Sequence, residues 1–366
     1  MIKNALKLSK KLIAIKSISG NSKELDQALY ICLSNLKGYT IEEFNKNGVK
    51  SALVYNAPKR PKKFKLIFNG HLDVFPGKSS LYRPKIVGDK LYGIGSMDMK
   101  SSLACLVTLF KELASKLKYP VALQIVTDEE TGGTLGTKYQ IEKGVRADFV
   151  ICGETTNLNI VNEAKGILWL KIFNKGKSAH SAYPWLGKNA VSAMNSFLRK
   201  LQQKFPTPKN ESKKSTISLS KIGTSNNFFN KIPDDCTAWL DVRYVKKEKT
   251  AIINKIKKLL PDDFGLTTFF EETPIAVSKN NLYVQKLKTF TKQMTNREVK
   301  LYQANGTSDL THFAKANCQG IEFGPVGSNG NFDNEYVSIP GLKTYLEILK
   351  KFLTDLNRSK ISEFNL

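Results

Sequence analysis

The chain has 366 residues, 41% of them hydrophobic and 10% aromatic, which is enough to bury a full core and long enough for two domains. Lys and Arg number 57 against 32 Asp and Glu, a net charge of +25, yet the densest run is only Lys59-Arg60-Pro61-Lys62-Lys63. Cations scattered in this way read as a solvated lysine-rich surface, with steering of an anionic substrate next and nucleic-acid binding last.

Five widely spaced cysteines with no CxxC pair fit free thiols in a reducing cytosol better than disulfides or a zinc ribbon. Charges interrupt the apolar positions of the first residues, and no run of about 18 apolar residues occurs anywhere. A soluble, cytoplasmic protein without signal peptide or membrane span is expected.

In chain order, Asn21 and Glu24 have the spacing of a capping box opening the amphipathic helix LDQALYICLSNL, which Gly38 closes. Two β-rich runs follow, Ser51–Tyr55 and Phe64–Phe68, the second ending in Asn69-Gly70-His71-Leu72-Asp73. A helix from Ser101 to about Leu117, a strand Val121–Thr127, another helix and a strand Asp148–Cys152 complete a β-α-β-α-β alternation. That rhythm predicts an α/β fold, a mostly parallel sheet with helices on both faces and its ligand site beyond the carboxyl ends of the strands. From Trp169 the texture becomes α+β, with strands at Leu170–Phe173, Thr216–Ser220 and Thr237–Tyr244 and helices at Asn189–Lys204 and Lys249–Leu260. After Pro274 the chain is expected to rejoin the first domain with helix Leu282–Met294, strands Val299–Tyr302 and Gly320–Phe323, and a last helix Leu342 to about Leu356. The expected domains are therefore 1–168 with 275–366, and an insert at 169–274.

Four segments at strand ends or turns carry the chemistry. In His71-Leu72-Asp73 the first and third residues share a face, so the Asp73 carboxylate can bond the His71 ring and fix its tautomer. Gly93-Ile94-Gly95 permits a tight turn that presents Asp98 just before a helix. Asp128-Glu129-Glu130 follows a buried strand, where three adjacent acids repel unless a cation or solvent relieves them. Gly153-Glu154 ends the next strand. Taken singly, each has an ordinary alternative: a surface histidine, a helix-capping aspartate or a solvated acidic loop.

Together, in this order and spacing, these segments resemble the co-catalytic zinc peptidases that include succinyl-diaminopimelate desuccinylase, acetylornithine deacetylase and aminoacylase. The likeness runs from the HxD triplet to Asn334-Glu335-Tyr336-Val337. It implies that Asp98 bridges two zinc ions, that His71 and Glu154 complete the first, and that Glu130 ligates the second. It further implies that Glu129 is the general base taking a proton from the bridging water, and that Asp73 orients His71. In the insert, Ser178-Ala179-His180 through Ala190 resembles the family's lid, in which the equivalent of His180 reaches the partner subunit's active site and polarises the scissile carbonyl. Asn230 and Arg243 resemble the lid's contacts to a substrate carboxylate, and Gly306, Thr307 and Ser308 the glycine-rich substrate loop.

One position departs from the family pattern. Where the second zinc takes a histidine, three residues before the Asn334-Glu335 pair, this chain has Asn331, and its third histidine, His312, belongs to another element. An amide oxygen holds zinc less well than imidazole. The resemblance thus implies one tight zinc site and a second that is weak or replaced, with cobalt or manganese as alternative ions. It implies an amidohydrolase that removes a succinyl- or acetyl-type group from an amino acid or cuts a short peptide. The alternative is a paralogue that binds such ligands with little turnover. A homodimer is expected, with neither membrane nor nucleic acid as partner.

Overall fold

The strand Phe64–His71 is buried at every residue except Lys65 and lies inside a nine-stranded sheet. A run so apolar on both faces is what a parallel strand between two helical layers requires. It pairs in parallel with Val121–Val126 on one side and Ala147–Cys152 on the other, and Gln319–Glu322 continues the parallel array. Antiparallel strands flank this centre: the hairpin Thr40–Lys46 and Val49–Tyr55 on one side, Ile160–Ala164 on the other. The computed structural model describes residues 1–330 and 333–358.

Neighbouring residues of a strand face opposite sides of a sheet, and Asn69 and Gly70 identify the two helical layers. A Cβ on Gly70 would meet Met99 and Leu103, whereas the Asn69 side chain reaches Thr137 and Asp309. Helix Lys100–Leu113 therefore covers one face, and helices Thr137–Glu142 and Leu310–Lys315 lie against the other. Lys100–Leu113 is buried from Lys100 to Phe110 because Ile2–Ile13 and Ile339–Arg358 pack on it as well. The chain folds as two compact units, a larger one of Met1–Glu163 with Ile275–Tyr302 and Ser308–Leu366, and a smaller one of Ala164–Pro274 with Gln303–Thr307.

The smaller unit is an antiparallel four-stranded sheet in the order Thr216–Gly223, Asp235–Tyr244, Gly166–Lys175, Phe264–Glu272. Strict alternation in Asp235–Tyr244 turns Ala238, Leu240 and Val242 into a core with Met194 and Phe197 of helix Ala190–Lys204 and Ile252 and Ile256 of helix Lys249–Leu259. One face of this sheet is thus buried, as the period-two pattern requires.

Local readings needed correction in several places. Asn21 does precede helix Ser22–Ser34, but its side chain makes no cap; the Nδ2 donates instead to the Lys16 carbonyl at 3.3 Å, so there is no capping box. Asn281 does what Asn21 does not, accepting from the amides of Tyr283 and Val284. The strands Thr40–Lys46 and Phe264–Glu272 were not anticipated. The first was legible in principle, because Asn47 and Gly48 both have positive φ at a two-residue hairpin turn, as an Asn-Gly pair favours.

Candidate metal centre

His71 ends its strand with 1% of its side chain exposed. Its Nδ1 lies 2.9 Å from the Asp73 backbone carbonyl, while its Nε2 lies 3.0 Å from Asp98 Oδ1, 3.7 Å from Glu154 Oε1 and 4.0 Å from Glu129 Oε2. One ligand atom from each of His71, Asp98 and Glu154 falls within 4.8 Å of the others. Three separate chain segments thus converge on one point, where His71 is buried and Asp98 and Glu154 are partly buried.

Each segment is held by groups outside this trio. The Asp98 loop wraps the Glu335 carboxylate, which accepts from the amides of Gly95 at 3.1 Å, Met97 at 2.8 Å and Asp98 at 3.2 Å. Gly95 has a φ of +75° and no room for a side chain beside Lys100 and Val74. The Asp98–Met99 peptide bond is cis. Lys100 is fully buried, its Nζ donating to the Ile15 carbonyl at 3.0 Å, and burial pulls its pKa down to about 7. Thr155, next to Glu154, donates to the Met97 carbonyl at 2.6 Å and so joins two of the segments.

The acidic turn is not the solvated loop that three consecutive acids suggest. Asp128 is buried and locks the chain behind the turn, accepting from the amides of Leu135 at 2.7 Å and Gly136 at 3.1 Å; burial raises its pKa to about 6. Asp73 faces both His71 and the acidic turn. Its carboxylate is 3.5 Å from the His71 ring, and its closer bonds are to the turn, Oδ1 accepting from the Glu129 amide at 3.1 Å and Oδ2 from the Glu130 amide at 2.9 Å. The Asp73 backbone carbonyl is the nearer contact of the His71 ring, at 2.9 Å. Asp73→Asn is accordingly expected to leave metal affinity within a fewfold of wild type while lowering kcat by about tenfold or more, through displacement of the turn. If metal affinity fell by about 10–100-fold instead, the carboxylate would be acting on the ligand.

Electrostatics favour a cation at this point. Burial raises the carboxyls of Glu154 and Glu129 well above the usual range, and neighbouring acids push both further; burial likewise takes Glu130 to about 8. Two like charges 4 Å apart at an effective dielectric of 20 cost roughly 4 kcal/mol, against a whole-domain stability of about 5–15 kcal/mol. Protons or a metal ion must therefore relieve the cluster. Glu130 Oε1 is buried and has no hydrogen-bond partner among the described residues. Imidazole and carboxylates are the donors that zinc and related ions use, so the residues fit such an ion. Because raised carboxyls must lose protons to bind a metal, affinity is expected to rise with pH, with proton release, through the region around pH 8 where Glu130 titrates. Calorimetry in buffers of different ionisation enthalpy checks this, and a pH-independent affinity would contradict it.

The remaining expected site residues are distributed over both units. His180 and Asn230 are exposed in the smaller unit on adjoining segments, the Ser181 amide donating to the Asn230 carbonyl at 2.8 Å. In that unit the Arg243 guanidinium makes a bidentate pair with Asp241 at 2.7 and 3.0 Å. Gly306 and Thr307 also belong to the smaller unit, where Thr307 donates to Glu272 at 2.8 Å. Ser308 lies in the larger unit and donates to Glu322 at 2.7 Å, an acid that burial raises to about 7. Asn331 lies outside the described residues. His312 Nε2 is engaged by the Gly132 carbonyl at 2.9 Å, and Asp333 is exposed and paired with Lys78. Glu335 and Glu322 were not assigned roles from sequence; an acid inside the apolar run Gly320–Phe323 was the available signal, since buried charges require partners.

A buried histidine and carboxylate cluster at the carboxyl ends of a parallel sheet, with a further acid beside it, defines a metal-dependent hydrolase centre. The family Peptidase family M20/M25/M40 matches residues 67–355, and the chain belongs to it. It is 31% identical to succinyl-diaminopimelate desuccinylase of Buchnera aphidicola from Cinara cedri, over 96% of this chain and 99% of that one. It is 28% identical to the enzyme of the same name from Wolbachia pipientis, over 95% and 92%. Among solved structures the fold is similar to aminopeptidase PepT of Bacillus cereus, with a TM-score of 0.79 at 16% identity over 98% and 99% of the two chains. It is also similar to the Bacillus subtilis YXEP protein, a dinuclear metal-binding peptidase, with a TM-score of 0.72 at 12% identity over 98% and 99%. The chain is thus a hydrolase of amide bonds, acting on acyl amino acids or short peptides. No helix among the described residues is long and apolar enough to cross a membrane.

Proposed function

We propose that this chain is a zinc-dependent deacylase of the desuccinylase type, in which His71, Asp98 and Glu154 hold one ion tightly. The convergence of those three side chains on one point carries the reading. When bound, the ion supplies Lewis acidity, polarising the scissile carbonyl and acidifying the attacking water. Glu129 takes the water's proton and returns it to the leaving nitrogen, a task suited to a carboxyl that burial raises well above the ordinary carboxylate range. Glu130, with its unpartnered Oε1, would hold a second ion together with Asp98, and for that ion Asn331 offers only an amide oxygen in place of imidazole. Hydrolysis of a panel of N-succinyl, N-acetyl and dipeptide substrates, before and after chelator treatment, tests this. No cleavage of any member by the metal-loaded protein would favour the weak-turnover alternative.

The smaller unit is read as a lid and dimerisation element. Supporting this is its edge strand Thr216–Gly223, paired on one side only among the described residues, with Leu219 and Ile222 exposed. Open edges with apolar side chains invite another strand. His180 would then polarise the carbonyl in the partner's site, and Asn230 and Arg243 would contact the substrate carboxylate, Arg243 exchanging its pairing with Asp241. Mixing inactive His180→Ala and Glu129→Gln chains should restore up to about a quarter of wild-type activity, because about half of the dimers are then heterodimers and each of these carries one intact site of two. A fully active monomer would refute the arrangement. The five free, buried cysteines are in keeping with a cytoplasmic location.

A further inference from the structure

Behind the acidic turn lies a carboxylate that the proposed reaction does not use. Asp309 is 2% exposed and sits at the start of helix Leu310–Lys315, yet its side chain caps none of that helix's amides. Its Oδ2 accepts from Thr137 Oγ1 at 2.5 Å and from Asn69 Nδ2 at 3.3 Å. Its Oδ1 lies against Gly133, so closely that a Cβ there would be 1.9 Å away. Gly133, with a φ of +59°, closes the turn that carries Glu129 and Glu130, its amide donating to the Asp128 carbonyl at 2.8 Å.

Asn69 extends these contacts to the metal-binding strand ends. It stands two residues before His71, and its Oδ1 accepts from the thiol of Cys152 at 2.8 Å, two residues before Glu154. A buried carboxylate is costly, and one that merely filled space would be replaced by an apolar residue at little loss. The geometry points to Asp309 as a positioning residue: it sets the height of the acidic turn above the sheet, and so fixes Glu129 relative to the His71 and Glu154 strand ends. This rests on reading Glu129 as the proton-transferring group.

The test is steady-state kinetics of the metal-loaded protein with metal content and Tm measured on the same samples. Asp309→Ala should lower kcat about 100-fold with KM changed less than about threefold, since a misplaced catalytic group loses rate before it loses binding. Metal content and Tm should stay near wild type, and Asp309→Asn, which keeps the shape and an acceptor, should recover to within about tenfold of wild type. Gly133→Ala should be as damaging as Asp309→Ala. The double variant should lose less than the product of the two single losses, because shortening residue 309 vacates most of the space the added methyl needs and leaves only the strain of a positive φ at residue 133. The inference is overturned if Asp309→Ala keeps kcat within about threefold, if activity falls only together with metal or folded protein, or if the two substitutions multiply. Full activity in Glu129→Gln would instead sink the underlying reading, whatever Asp309 variants do.

Discussion

Glu129→Gln is expected to lower hydrolysis by about 10²–10⁴-fold while leaving metal content and fold unchanged. The substitution is nearly isosteric, so the turn should keep its shape: the amide of residue 129 still donates to Asp73, and Asp128 still locks the segment behind it. What disappears is the one group beside the trio assigned to accept a proton. Glu129 Oε2 stands 4.0 Å from His71 Nε2, the farthest of the three carboxylates measured from that nitrogen, which suits a base beside a metal better than a ligand on it. Comparing kcat and zinc content of purified wild type and variant checks this. A Glu129→Gln protein that keeps most of its activity would remove the mechanism.

The second large effect concerns Asn331. The wild-type protein should hold one zinc ion tightly and fill a second position poorly, because the tight ion has an imidazole and two carboxylates while the second has Asp98, Glu130 and an amide oxygen. The two residues that could stand in are otherwise engaged: His312 meets the Gly132 carbonyl, and Asp333 pairs with Lys78 at the surface. Asn331→His should therefore raise zinc content from about one toward about two per chain, read by elemental analysis after dialysis, with activity rising alongside. Two tightly bound ions in the wild type would show that a substitute ligand exists. Metal gained with activity lost would mark Asn331 as an adaptation to another ion or substrate.

The cluster of His71, Asp98 and Glu154 was legible in the sequence because its side chains sit at or just beyond strand ends and turns, where local patterns are readable. His71 and Glu154 follow apolar runs, and Asp98 follows a Gly-x-Gly turn. What could not be read are bonds between segments far apart in the chain. Whether Asp73 bonds the histidine ring or the amides of Glu129 and Glu130 depends on how two strands are placed side by side. Glu335 bonding the Asp98 loop, and Asp309 touching Gly133, join residues separated by more than 170 positions. The capping box failed locally: Asn21 Nδ2 donates to the nearby Lys16 carbonyl, and its side chain accepts from no amide of the helix it precedes. The strand Phe264–Glu272, partly exposed along its length, carries too weak an alternation to be recognised without its neighbour Gly166–Lys175.

The most direct test is to strip the protein of metal, titrate zinc back, and follow cleavage of an N-succinyl or N-acetyl amino acid at each addition. A single tight site at His71, Asp98 and Glu154 predicts that activity climbs in proportion to zinc and reaches most of its final value near one ion per chain. Activity that survives complete stripping, or that appears only after a second ion has bound, would contradict it.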